Sequence, residues 1–174
     1  MNLLVISHTP HYRRGDCLVG WGPTVREIDA LAELFESVTH VAPLHSGPAP
    51  ESSLEYRSEK IRFAGIPPSG GTGIVAKWGI LLRILVYVKM LVREFHRADA
   101  VHVRCPAAIS LLAIFLLSIF RYPKLRWVKY AGNWRPENLE PFSYSFQRFW
   151  LRKNFHRGFV TVNGRWPNEH PHIR

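Results

Sequence analysis

Apolar residues in this chain fall into two rhythms. Asn2 to Ser7 is a nearly continuous apolar run, as in a parallel strand buried on both faces. A polar stretch from His8 to Gly22 follows and is predicted to be a long loop. It holds His11-Tyr12-Arg13-Arg14-Gly15-Asp16 and Gly20-Trp21-Gly22. Pro23 suits the first turn of a helix, and Ile28, Leu31, Ala32 and Phe35 then recur at helical spacing. Val38 to Ala42 predicts a second strand, closed by Pro43. His45 to Glu59, rich in Ser, Pro, Gly and Glu, predicts an exposed loop. Ile61 to Ala64 is a candidate third strand. The loop from Ile66 to Gly73 contains Gly70-Gly71-Thr72-Gly73 but lacks the Lys-Ser/Thr of a phosphate-binding P-loop, so it is taken as a turn before a helix.

Ile74 to Arg97 has the period of a long helix. Arg83, Lys89, Arg93 and Arg97 project to one side. Ile80, Leu81, Ile84, Leu85, Val88, Leu91, Val92 and Phe95 fill a wide opposing face. Ala100 to Arg104 is then a short buried strand with alternating β-branched residues. Pro106 ends it, since proline cannot continue a central ladder. Pro106 to Phe120 is apolar on nearly all sides, a helix pattern that demands cover by protein or lipid. Arg126 to Ala131 predicts a further strand running into Gly132-Asn133-Trp134-Arg135-Pro136. Ser143 to His156 predicts an aromatic, basic helix, and Gly158 to Val162 the last strand. Asn163 to Arg174 has no periodicity and is taken as a tail.

Alternating strands and helices with short connections predict an α/β fold: a Rossmann-like, doubly wound parallel sheet with right-handed crossovers, spanning residues 1–162. In such a sheet ligands bind at the carboxyl edge. Four predicted strand ends deliver polar side chains there. They are His8, His11, Tyr12, Arg13 and Arg14; then Arg104; then Asn133, Trp134 and Arg135; and last Asn163. Arginine forks bind phosphate or carboxylate in a bidentate manner, and Asn and Trp hydrogen-bond and stack on a polar ring.

Charge narrows the partner. With 23 Lys+Arg against 13 Asp+Glu, the formal net charge is +10, which favours an anionic partner: a phosphorylated small molecule, the acidic lipid of an anionic membrane surface or nucleic acid, while the residues at the edge suit a polar or anionic acceptor. Nucleic acid ranks last because no recognition motif accompanies the charge. An apolar fraction of 47% supports a packed core. Cys17 and Cys105 make no disulfide framework, in keeping with a reducing, cytoplasmic setting. The start of the chain lacks a basic leader. The longest charge-free run, Cys105 to Phe120, falls short of the ~20 residues of a spanning helix, so contact with a membrane would be peripheral, at its inner face. His8-x-x-His11 lacks companion ligands and predicts no metal site. His102 in mid-strand is taken as a hydrogen-bonded core histidine. No Gly-x-Ser-x-Gly elbow and no Gly-x-Gly-x-x-Gly dinucleotide fingerprint occurs.

The order of these segments resembles the amino-terminal domain of family-four glycosyltransferases of the GT-B fold. The resemblance rests on Leu3-Leu4-Val5-Ile6-Ser7 with the Gly20-to-Pro23 loop and the helix from Val25 to Phe35. It rests also on Asp99 to Pro106, which is similar to that family's D-x-V-H-x-R-x-P strand, on Trp127 to Trp134, and on Gly158 to Asn163. The resemblance implies an acceptor-side domain. His11, Arg13, Gly20, Gly22, Arg104, Asn133, Trp134 and Arg135 would line its acceptor site. It further implies a second, nucleotide-sugar-binding domain carrying a Glu-x7-Glu signature. Asp99, Glu137 and Glu140 do not form that signature, so the expected catalytic activity belongs to a completed enzyme. Where many such enzymes carry a histidine, this chain has Gly132-Asn133. No cofactor is implied beyond the donor sugar. A non-catalytic membrane-surface or partner-binding module, using the two apolar helices, is the competing reading.

Overall fold

The computed structural model describes residues 1–68 and 74–174, with side chains of the helix that opens the second segment described from residue 84 onward. The Gly70-to-Gly73 turn and the side chains of Ile80, Leu81 and Arg83 lie outside the described residues.

Six parallel strands form the main sheet: β1 (Asn2–Ile6), β4 (Ser37–Pro43), β6 (Ile61–Ile66), β7 (Ala100–Cys105), β8 (Leu125–Tyr130) and β9 (Phe159–Val162). Their spatial order is β6-β4-β1-β7-β8-β9, all neighbours running the same way. The order reverses between β1 and β7, which makes that junction the topological switch point of a Rossmann-like, doubly wound sheet. Between β1 and β4 the chain adds β2 (His11–Arg14), β3 (Cys17–Trp21) and helix α1 (Gly22–Leu34); β5 (Ser53–Glu55) precedes β6. The remaining helices are α2 (Ile74–Phe95), α3 (Ala108–Ile119) and α4 (Phe142–Arg152).

Side-chain alternation along β1 divides the core into two layers. Leu3 and Val5 meet Ile28 and Ala32 of α1, together with Val38 and Ala100. Leu4 and Ile6 point the other way. They join Leu91 and Phe95 of α2, Ala113, Ile114 and Leu117 of α3, and Leu151 of α4. One sheet face therefore carries α1 and the opposite face carries the other three helices. Arg126 on β8 is buried beneath α3. Its guanidinium donates to the carbonyls of Leu117 and Phe120, supplying partners for the helix's terminal acceptors, and to those of Pro123 and His156.

Two predicted loops and the tail differ from expectation. His11 to Trp21 is an antiparallel hairpin, turning at Gly15 with φ 61° and extended by β5 into a three-stranded sheet. Its first strand is too polar to announce itself; the ladder and the buried His11 and Val19 hold it instead. The segment 163–174 is docked along the sheet edge. Val160 N–H donates to His172 O at 2.8 Å, Arg174 N–H donates to Val160 O at 2.8 Å, and Ile173 enters the core.

Candidate functional site

Because every strand of the main sheet runs the same way, the chain leaves β1, β4, β7, β8 and β9 at one edge. Arg104 stands at that edge, beside the switch point. It is 13% exposed, and its Nη1 lies 2.6 Å from Glu27 Oε1 on α1. In the β7–β8 ladder Arg104 is level with Lys129, whose Nζ donates to the same Glu27 oxygen at 2.9 Å. Burial alone would raise the Glu27 carboxyl, but Arg104 and Lys129 outweigh it and hold it below the usual carboxylate range. Exposed His8 follows β1 at this edge. Desolvation, then the Arg104 charge, lowers its pKa, so the imidazole is biased to its neutral form. One carboxylate thus serves two cations, and the cluster keeps a net positive charge with guanidinium donors to spare.

Below this cluster, His102 is fully buried and stacks on Trp127 with ring centroids 3.8 Å apart. Trp127 Nε1 donates to Thr161 Oγ1 at 2.8 Å. His102 belongs to the core as expected, but neither ring nitrogen meets a partner in hydrogen-bonding geometry. Desolvation pushes its pKa down to about 3, so it is a neutral, apolar-like floor for the site.

A second buried network braces the switch point from the β4 side. His11 Nδ1 lies 2.9 Å from Thr9 O, which only accepts, so Nδ1 carries the proton. His11 Nε2 then accepts from the Tyr56 hydroxyl at 2.7 Å. Tyr56 oxygen in turn accepts from His40 Nδ1–H at 2.5 Å, leaving His40 Nε2 to accept from Ser7 O–H at 2.8 Å. Ser7 Oγ completes the chain by accepting from Thr9 N–H at 3.2 Å. Every proton is assigned once both histidines are neutral, and desolvation favours that state: it lowers His11 to about 4 and His40 well below its ordinary value.

The predicted site residues divide accordingly. Arg104 is where expected. Arg13 is exposed on the hairpin, beside Leu44 and His45 at the end of β4. Asn133 is exposed after β8 and its Oδ1 accepts Arg135 N–H at 3.1 Å. His11 is fully buried and faces no opening. Gly20 and Gly22 make room for protein: a Cβ on Gly20 would stand 2.4 Å from His11 Nε2, and one on Gly22 2.9 Å from Ser52 O. Trp134 is 1% exposed, packed edge-on against Tyr130 and beneath the Arg152 guanidinium, with Nε1 donating to Glu169 at 2.9 Å. Its ring has no free face for a sugar. Arg135 turns to the same Glu169 and to Trp166. Trp134 and Arg135 therefore anchor the segment 163–174.

Two members of the site escaped the sequence reading. Lys129 had a usable signal, because alternation along β8 puts it level with Arg104 on one sheet face. Glu27 had none beyond its place on the first turns of α1. Among the described residues no three His, Cys, Asp or Glu side chains gather as a metal site requires. Compared with protein families and with curated proteins, the chain matches no family model and no curated sequence.

Proposed function

We propose that this chain is the acceptor-side half of a retaining glycosyltransferase. The observation that carries the proposal is the pairing of Arg104 and Lys129 at the carboxyl edge, beside the switch point, around a single carboxylate. In this reading Arg104 and Lys129 bind the charged or polar part of an acceptor, with Arg13, His8 and Asn133 reachable from the same edge. His11, Gly20 and Gly22 hold the hairpin in place instead of touching the acceptor.

The chemistry would be completed by a nucleotide-sugar-binding domain, on a partner chain or on a longer polypeptide. The acceptor hydroxyl oxygen forms the new bond to the sugar's anomeric carbon as the bond to the nucleotide breaks, and the hydroxyl proton leaves with the nucleotide phosphate. This domain contributes positioning and an electrostatic anchor, not the leaving-group chemistry. The donor is a substrate and no resident cofactor is required. The low cysteine count suits work in the cytoplasm.

The test is sugar transfer from nucleotide donors to a panel of anionic and neutral acceptors, using the purified chain alone and mixed with a supplied nucleotide-sugar domain. Transfer only in the mixture, lost on Arg104→Ala, is expected. Transfer by the chain alone would overturn the half-enzyme reading. Transfer insensitive to Arg104→Ala would remove the proposed site.

A further inference from the structure

Helix α3 contains no charged residue, yet it is not enclosed. Its inner side gives Ile109, Ala113, Ile114, Leu116 and Leu117 to the core. Its outer side leaves Phe115 45% and Ile119 60% exposed, where a solvated outer helix would carry a polar stripe. The helices on either side continue this surface. α2 and α4 both pack on α3. On α2, Ile84, Leu85 and Val86 are exposed, and on α4 so are Phe142 and Phe149. Phe115 meets Trp150 at 5.7 Å, and ring contacts run on from Trp150 to Phe146, Phe149 and Phe155. The result is an apolar, aromatic surface spread over three helices, larger than isolated exposed side chains produce.

The charges around it are mainly basic; the acids in the flanking segments are Asp99 after α2 and Glu137 and Glu140 before α4, the last of them paired with Arg148. α2, α3 and α4 together contain a single acid, Glu94, which is 1% exposed and tied to Arg62, Arg93 and Arg97. Lys89 and Arg93 on α2, Arg121 and Lys124 after α3, and Lys153 and Arg157 after α4 are exposed. Long basic side chains around Phe and Trp fit the boundary between lipid headgroups and acyl chains: the rings enter the apolar zone while the cations reach the phosphates. No described helix is long and apolar enough to cross a membrane, so such contact lies in the plane of the surface.

We propose that the outer face of the α2–α3–α4 layer docks on an anionic lipid bilayer. The proposal is independent of the sugar-transfer reading. A protein partner would need an apolar face fringed by acids; the bilayer supplies both features without a shaped counterpart, and each basic residue near it adds attraction.

The test is flotation of the full chain with phosphatidylcholine vesicles, with and without phosphatidylglycerol. Two double variants at exposed positions keep the core intact: Phe115→Ser with Phe149→Ser, and Lys89→Glu with Lys153→Glu. Circular dichroism checks their fold. The expected result is flotation with the anionic vesicles only, weakening as salt rises, lost in the phenylalanine pair and about tenfold weaker in the lysine pair. No flotation, equal flotation with neutral vesicles, or flotation unchanged by the phenylalanine pair would overturn the proposal. So would vesicle-independent self-association abolished by that pair, which would assign the face to a second copy of the chain.

Discussion

Arg104 and Glu27 meet at 2.6 Å across the boundary between β7 and α1, with Lys129 on the same carboxylate oxygen. Neither Arg104 nor Glu27 is more than about a third exposed, so solvent screens the pair only partly. Glu27→Gln leaves two neighbouring cations without their shared counter-charge. The variant should lose about 1–2 kcal/mol of stability near neutral pH. The sign with pH follows from the lowered carboxyl: its stabilisation is present above the unfolded value of 4.5 and is lost as pH falls through the lower folded value. The difference between wild type and variant should therefore stay constant from alkaline pH down to the onset of acid unfolding. Urea unfolding at several pH values measures this. The freed cations should also bind an anionic acceptor more tightly, by about tenfold.

Gly20→Ala should be far more damaging than the same change at an open strand position, because Gly20 is buried. The added carbon would stand 2.4 Å from His11 Nε2 and 2.7 Å from its Cδ2. His11 cannot swing aside, because Thr9 O and the Tyr56 hydroxyl hold both its nitrogens. Overpacking with loss of these bonds should cost about 2–4 kcal/mol, read as a lowered thermal midpoint. Gly15→Ala, at a positive-φ turn with nothing within 4 Å, should lose only about 1 kcal/mol. Equal losses would mean that backbone conformation, not the His11 ring, explains the glycine at position 20.

The main sheet was legible because its signals are local. Apolar runs bounded by Pro43 and Pro106 mark buried parallel strands, and the stop at Pro106 places Arg104 at a strand end. Lys129 was missed, although alternation along β8 puts it level with Arg104. The hairpin was not legible, because His11-Tyr12-Arg13-Arg14 has no apolar stripe and its stability comes from pairing with β3 and from a histidine inside the core. Gly20 illustrates the limit: its meaning depends on which ring occupies the space beside it, which no local pattern encodes. Trp134 is similar. A tryptophan at a strand end suggests stacking on a ligand, but its partner Glu169 lies in a segment without periodicity, so nothing nearby in sequence signals that it is buried.

Acid should unfold this protein at an unusually high pH. His11 and His156 are fully buried, and desolvation lowers each to about 4 from an ordinary 6.5. Below pH 6.5 the unfolded chain binds protons that the folded chain refuses. Stability is therefore lost as pH falls from 6.5 and levels only below about 4. Each of the two contributes on the order of 3 kcal/mol to that loss. His40 and His102 act in the same direction. Against a typical total of about 5–15 kcal/mol, the fold should collapse between roughly pH 6 and 4. His102→Phe should flatten the profile and add about 1 kcal/mol at neutral pH, since it removes two desolvated nitrogens without partners. Denaturant midpoints measured from pH 7 to pH 4 check both points; a level wild-type profile would contradict them.

Tyr56 is the joint of the buried proton chain. Its hydroxyl accepts from His40 and donates to His11, so Tyr56→Phe strands a donor on one buried imidazole and an acceptor on the other. The loss should be about 2–4 kcal/mol, although only one oxygen is removed. A double-mutant cycle separates this from lost packing. His11→Phe alone leaves the Tyr56 proton without its acceptor, and Tyr56→Phe alone leaves His11 without its donor. The double variant removes both ends of that bond, so its cost should fall short of the sum by about 1 kcal/mol or more. The hydroxyl also ties the segment after β5 to Ser7 through His40, and Ser7 is the first residue beyond β1 at the switch point. Loosening that tie should weaken acceptor binding at Arg104 without touching it. A titration of the Tyr56→Phe variant at a pH and temperature where it remains folded would show that effect; strict additivity in the cycle would show instead that the hydroxyl bonds are not coupled.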